Sequence, residues 1–296
     1  MQPKLKAHIG LFLTNLFFAI NLSGVKYFTS NHYAGPYGLN IIRMAVSVFL
    51  FWTIFLFTGY KVRLLKKDIF RFILCSLSAL AVNQMLFMKG LSLTFPIHAS
   101  LLLLITPILI TFCAAWMLRE KITSLKIFGL IAGVTGAVIL ISSGRSAGNG
   151  DNIILGDILV ILSAIAYTIY FILVKPLIKR YPPIDIMRWV FTFGLIMIIP
   201  LGYNEFKEIT WQHFTFMDYF LIFIIAVPGT FLAYIFNVYG IKVLSASAAG
   251  AYIYLQPVFA VLIATLFLKE PVLPYKILAA ILIFSGVYMT TRKVKA

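Results

Sequence analysis

Apolar runs of about twenty residues alternate with short polar stretches along the whole chain. Ten can be marked, at 8–28, 38–58, 69–89, 96–118, 124–142, 154–174, 185–203, 217–238, 247–268 and 274–291. A helix needs about 20 apolar residues to cross the hydrocarbon of a bilayer, so each run reads as one spanning helix. The runs are continuously apolar, whereas a membrane barrel alternates with a period of two. The expected fold class is all-α, a polytopic integral membrane protein with ten transmembrane helices.

The pattern also repeats at a fixed spacing. Gly90 to Lys126 and Gly240 to Lys276 align 150 positions apart, with Pro107 on Pro257, Glu120 on Glu270 and Lys126 on Lys276. The same register places Asp68 on Asp218, Phe70 on Phe220 and Gly136 on Gly286. Chance supplies Leu, Ile and Ala matches between apolar segments, but not paired Pro, Glu, Asp and Lys in one frame. The chain is therefore read as a duplication: a first repeat at 8–142, a linker at 143–153 and a second repeat at 154–292. The Gly/Ser-rich stretch from Ser142 to Asn152 suits a flexible connection. Five spans is an odd number, so the second repeat enters from the opposite side. Two inverted five-helix repeats are a common architecture of secondary transporters, with the binding site near the midplane between them.

Composition agrees: 61% of residues are hydrophobic and 11% charged, too apolar for a water-soluble domain of this size. A net charge of +16 would suggest nucleic acid in a soluble protein. Here its placement gives a better account. With the N-terminus in the cytoplasm, 18 of the 25 Lys and Arg residues fall on the inner side and 7 on the outer. That positive-inside bias puts both termini in the cytoplasm of a multi-pass protein of the cell (inner) membrane. The basic loop Tyr60 to Asp68 is expected against anionic headgroups. The N-terminal segment has a signal-like basic start, but its apolar run is long and lacks a small-x-small cleavage site, so it is read as the first span. The expected partners are the lipid bilayer and a small-molecule substrate, with no nucleic acid; monomer and homodimer both stay open. Cys75 and Cys113 lie inside apolar spans without a disulfide or metal pattern, and neither a cofactor nor a metal is expected.

Polar side chains within spans are costly in lipid and should face protein or a cavity. The candidates for substrate contact are Asn15, the adjacent Asn83 and Gln84, His98, Thr106, Tyr167, Tyr170, Asn237, Tyr252 and Gln256. For each alone, a hydrogen bond between helices is the competing reading. Pro107 and Pro257 should break spans 4 and 9, freeing the carbonyls of Leu103 and Ile253 where protein or a cavity must satisfy them. Arg43, in the first two turns of span 2, reads as an arginine snorkelling to the outer interface, with a substrate role as the alternative. The small residues from Gly129 to Gly136, with Ala279, Ala280, Ser285 and Gly286, read as helix-packing faces.

The ten spans, the proline pair, the Glu120 and Glu270 span ends with adjacent Arg119 and Lys269, and the tandem halves together resemble EamA-type members of the drug/metabolite transporter superfamily. The resemblance covers almost the whole chain. It implies a central cavity lined by spans 1, 3, 4, 6, 8 and 9, with spans 5 and 10 as a structural pair. It also implies transport, since members commonly export amino acids or related metabolites. All nine acidic residues lie in loops or near span ends, so no carboxylate is placed mid-membrane to carry a proton. His98 can titrate near neutral pH but is read as a structural donor, and facilitated export is the expectation. An enzyme is not expected: His8, His32, His98 and His213 are scattered and unpaired with acids. No GxxxxGK[ST] loop marks an ATP-driven pump. The alternative is a membrane-embedded scaffold or sensor, which would leave the proline-bearing repeat without a role.

Overall fold

A computed structural model describes residues 2–31, 33–58, 64–93, 102–119, 121–142, 153–259, 262 and 274–291. Among these the chain is helical and contains no strand. Helix α1 spans Pro3–Ser30 and α2 spans Pro36–Thr58. Next come α3 (Lys66–Ser76) and α4 (Asn83–Leu93), joined by a π-helical turn over Leu77–Val82. Then follow α5 (Ile105–Leu118), α6 (Ser124–Ser142), α7 (Ile153–Ile178) and α8 (Pro183–Lys207). Helices α9 (Phe216–Ala226) and α10 (Ala233–Val243) are joined by a second π turn, Val227–Leu232. Last are α11 (Ala246–Ala251), a 3-10 turn at Tyr252–Tyr254, and α12 (Pro274–Thr291). Five stretches are long and apolar enough to cross a membrane: Pro36–Phe57, Lys66–Gly90, Ile154–Ile178, Pro183–Lys207 and Phe216–Val243. Shorter apolar helices occupy Ile105–Met117, Ser124–Ile139 and Ile277–Thr291.

The duplication survives in the backbone residue by residue. The helix–π–helix unit at 66–93 recurs at 216–243, shifted by the same 150 positions as the paired Pro, Asp and Gly residues. Packing follows the same symmetry. Helix α1 lies against α10 and α4 against α7, contacts that exchange with one another when the halves are swapped. The pairs α2–α8 and α6–α12 map onto themselves. A two-fold axis between the halves requires this pattern.

The α6–α12 pair shows the direction of the axis. A Cβ at Gly129 would sit 2.8 Å from the carbonyl oxygen of Gly286, and one at Gly136 2.6 Å from that of Ala279. As one number rises the other falls, so these two equivalent helices run antiparallel. Backbones this close need small residues, and any larger side chain at Gly129 or Gly136 would have to displace backbone. Of the packing faces read from the sequence, Gly129, Gly133, Gly136, Ala279 and Gly286 meet at this contact, whereas Ser285 is exposed.

The two ends of the bundle are tied differently. At the end carrying Lys66, Lys179 and Arg180 (the basic end), Asp68 accepts from Arg180 Nη1 at 2.6 Å and from the Tyr181 hydroxyl at 2.9 Å. Burial raises the Tyr181 phenol above its ordinary value, in keeping with its role as a protonated donor. At the far end Asp218 closes a capping box with Thr215 on α9 and accepts from the Tyr27 hydroxyl at 2.9 Å. There too, Glu205 Oε2 accepts from the Tyr37 backbone N–H at 2.6 Å and from Gly38 at 3.2 Å, capping the α2 N-terminus.

Candidate functional site

A cavity of about 170 Å³ lies between the halves. Its wall combines Phe18 and Asn21 of α1, Arg43 of α2, and Asn83, Gln84, Phe87 and Met88 of α4. Across from them stand Leu103, Thr106, Tyr167, Tyr234, Ile253 and Gln256. Toward the basic end the space is filled instead by one apolar cluster, including Phe72, Cys75, Tyr170, Phe171, Val174, Leu177 and Tyr181. The two-fold axis passes through the cavity wall, because Gln84 Nε2 donates to the Tyr234 hydroxyl at 2.9 Å. Those residues are 150 positions apart, each the repeat equivalent of the other.

Both prolines do what their chemistry demands. The helix before Pro107 breaks at a turn on Leu104, and the chain before Pro257 tightens into the 3-10 turn at Tyr252–Tyr254. Proline has no N–H and its ring clashes with the carbonyl four residues earlier. Those carbonyls belong to Leu103 and Ile253, and both residues line the cavity.

Of the residues singled out from the sequence, Asn83, Gln84, Thr106, Tyr167 and Gln256 line this cavity. Asn83 Nδ2 donates to the Ser163 carbonyl at 2.9 Å, and Gln256 Nε2 donates to Asn15 Oδ1 at 3.0 Å. Asn15 thus stands behind Gln256 and bridges α1 to the second proline-bearing segment, its own amide donating to the Leu11 carbonyl. Tyr170 stacks on Tyr167 with centroids 5.9 Å apart but lies within the apolar cluster below the cavity. Asn237 is buried on α10 away from the cavity wall. Tyr252 meets His8 Nδ1 at 2.6 Å and borders a different groove, beside Phe12 and Phe284. His98 lies outside the described residues.

Arg43 overturns its sequence reading. It is 6% exposed and does not snorkel; it points into the cavity, with Nε donating to Thr230 Oγ1 at 2.9 Å. Thr230 sits on the second π turn, where its hydroxyl donates to the Ile225 carbonyl five residues back. The Asn21 amide donates to the carbonyls of Ile225 and Gly229 at 3.2 and 2.9 Å. The widened turn frees backbone carbonyls that these side chains then hold. A sequence signal for Arg43 existed: Asn40, Arg43 and Ser47 recur at helical spacing, and all three are buried. A polar stripe along one helix face points to the bundle interior.

The antiparallel repeats, the broken helices facing a cavity of mixed apolar and polar lining and the apolar exterior define a membrane transporter built from two similar halves. The chain belongs to the EamA-like transporter family, whose model matches it twice, over residues 5–142 and 154–292. It is 26% identical to an uncharacterized transporter of Archaeoglobus fulgidus, over 98% of this chain and all of that one. It is 24% identical to the uncharacterized transporter YetK of Bacillus subtilis, covering 78% of this chain and 71% of the relative. A probable terminal-alkyne amino-acid exporter of Streptantibioticus cattleyicolor is 24% identical over 77% of this chain and 74% of that protein. A crystal structure superposes with a TM-score of 0.79 over 98% of this chain and 99% of that one, at 16% identity, so the fold is shared.

Proposed function

We propose that the protein is a secondary transporter of the cell membrane that exports amino acids or related small metabolites by alternating access. In this reading ten spans form two inverted repeats, at 8–142 and 154–292 joined by 143–153, with both termini and the basic end in the cytoplasm. The observation that carries it is the cavity on the two-fold axis, closed toward the basic end by packed side chains. Exchanging the conformations of two equivalent halves would close the far side and open the basic side around the same site. The name of the Streptantibioticus relative favours amino-acid export. No Asp, Glu or His lines the cavity among the described residues, which favours facilitated movement down a gradient.

The test is an untargeted comparison of metabolites inside and outside cells producing the wild type or an Asn83→Ala/Gln256→Ala variant at matched membrane levels. Selective external accumulation with the wild type alone is the expected result. Identical profiles from wild-type cells and cells lacking the protein would sink export and return the scaffold or sensor reading.

A further inference from the structure

We propose that Arg43 is the anion-binding residue of the cavity, and that the transported molecule carries one carboxylate seated on its guanidinium, beside an N–H-bearing group received by the Gln84 carbonyl oxygen. This rests on the transporter reading above and narrows it to a chemical class.

Among the described residues two arginines are deeply buried, and they are accommodated in opposite ways. Arg188, 2% exposed, pairs with Asp185 Oδ1 at 3.0 Å and packs its guanidinium 3.7 Å from the Phe55 ring centroid. Its charge is neutralised within the protein. Arg43 meets no carboxylate among the described residues; its hydrogen-bond partner is the neutral hydroxyl of Thr230. An ion held in a low-dielectric interior without a counter-charge is strongly disfavoured, and a cavity next to it lets a ligand supply that charge. A guanidinium whose Nε is already occupied still presents its two terminal nitrogens, a fork matched to a carboxylate.

The rest of the wall selects further. Gln84 commits one N–H to Tyr234 and its Oε1 is buried with no partner, and the Thr106 hydroxyl is likewise unpartnered among the described residues. Asn83 and Gln256 each commit one N–H to a protein acceptor. The unpartnered Gln84 Oε1 is an acceptor in this wall, which suits an N–H donor. With Arg43 the one cation lining the cavity among the described residues, a second anionic group would go unneutralised, which disfavours dianions. No acid lines the cavity among the described residues, so a cation would find no counter-charge there. At about 170 Å³ the space is close to the roughly 150 Å³ of a cavity that holds benzene, so it takes a single small molecule and no peptide or nucleotide. Phe18, Phe87 and Tyr234 give it an aromatic side.

The experiment loads liposomes containing the purified full chain with a small-molecule extract of cells and identifies by mass spectrometry what leaves. The released compounds are then compared with their own carboxamides, which keep shape and lose the charge. The expected result is release of monocarboxylates, with each carboxamide about tenfold or more slower, as loss of a charge-assisted hydrogen bond implies. Arg43→Gln should remove that preference and Arg43→Lys keep part of it. Release of compounds without a carboxylate, or equal rates for acid and carboxamide, would overturn the proposal while leaving the transporter reading intact. An Arg43→Gln protein of wild-type melting temperature and unchanged acid release would overturn it equally. If Arg43→Gln does not fold, the acid and carboxamide rates of the wild type decide. Absence of any protein-dependent release removes the transporter reading, and this proposal with it.

Discussion

The two π turns are one backbone in two chemistries. The first, Leu77–Val82, reads LSALAV; its Ser78 hydroxyl bonds back to the Leu74 carbonyl at 2.8 Å, and Leu80 lies buried against Gly194. The second, Val227–Leu232, reads VPGTFL and places Thr230 where the first has Leu80. There a threonine hydroxyl, the Asn21 amide and the Arg43 guanidinium share the freed carbonyls and one another. The shape was preserved without the polar side chains, so the shape serves the fold. The polar side chains occur in one copy, so they serve something the symmetric fold does not need.

Substitutions can break this comparison in order of expected effect. Thr230→Val should be the most damaging to transport. It leaves the Arg43 Nε without its partner and the Ile225 carbonyl with the Asn21 amide alone, at about 1–3 kcal/mol for the orphaned group, and efflux per folded molecule should drop about tenfold. Wild-type efflux from that variant would mean the hydroxyl does not position the guanidinium. Asn21→Ala should cost a similar 1–3 kcal/mol in thermal unfolding, with efflux falling only a few-fold because Thr230 still holds Arg43. A loss of efflux deeper than that of Thr230→Val would reverse the order of importance.

Leu80→Thr copies the second repeat's chemistry into the first. Burying a hydroxyl against Gly194 should lower stability by about 1–3 kcal/mol, seen as a lower melting temperature, yet leave efflux per folded molecule unchanged. Mildest is Ser78→Ala, whose hydroxyl only bonds back along its own helix. Less than about 0.5 kcal/mol should be lost, and a large loss would show that the first turn also depends on a side chain.

The comparison also marks what could be read from residues alone. Duplication was legible because Pro, Asp, Glu and Gly pairs recur at one spacing, and the same spacing reappears in the π turns. The turns themselves were not: Pro228 hints at the second, but nothing in LSALAV interrupts an α-helical pattern. Pro107 and Pro257 pointed to the cavity because a missing N–H acts wherever it stands. Polar residues were harder, since span membership says nothing about which face turns inward. Asn83, Gln84 and Gln256 turn to the cavity, whereas Asn237 and Tyr170 on neighbouring helices do not. Arg43 was misjudged because depth along a helix suggested an interface, while its face, shared with Asn40 and Ser47, decided the matter.

The bond between Gln84 and Tyr234 has a genetic consequence. A residue on a two-fold axis meets its own counterpart, so in a pair of identical five-helix chains this contact would join two glutamines or two tyrosines. Every other wall residue would likewise come twice, and an arginine at position 43 would face a second one across a space of about 170 Å³. Two unneutralised guanidiniums at that range repel. A wall with one arginine needs two copies with separate coding sequences that can drift apart, and joining them in one chain guarantees that each half always meets its diverged partner.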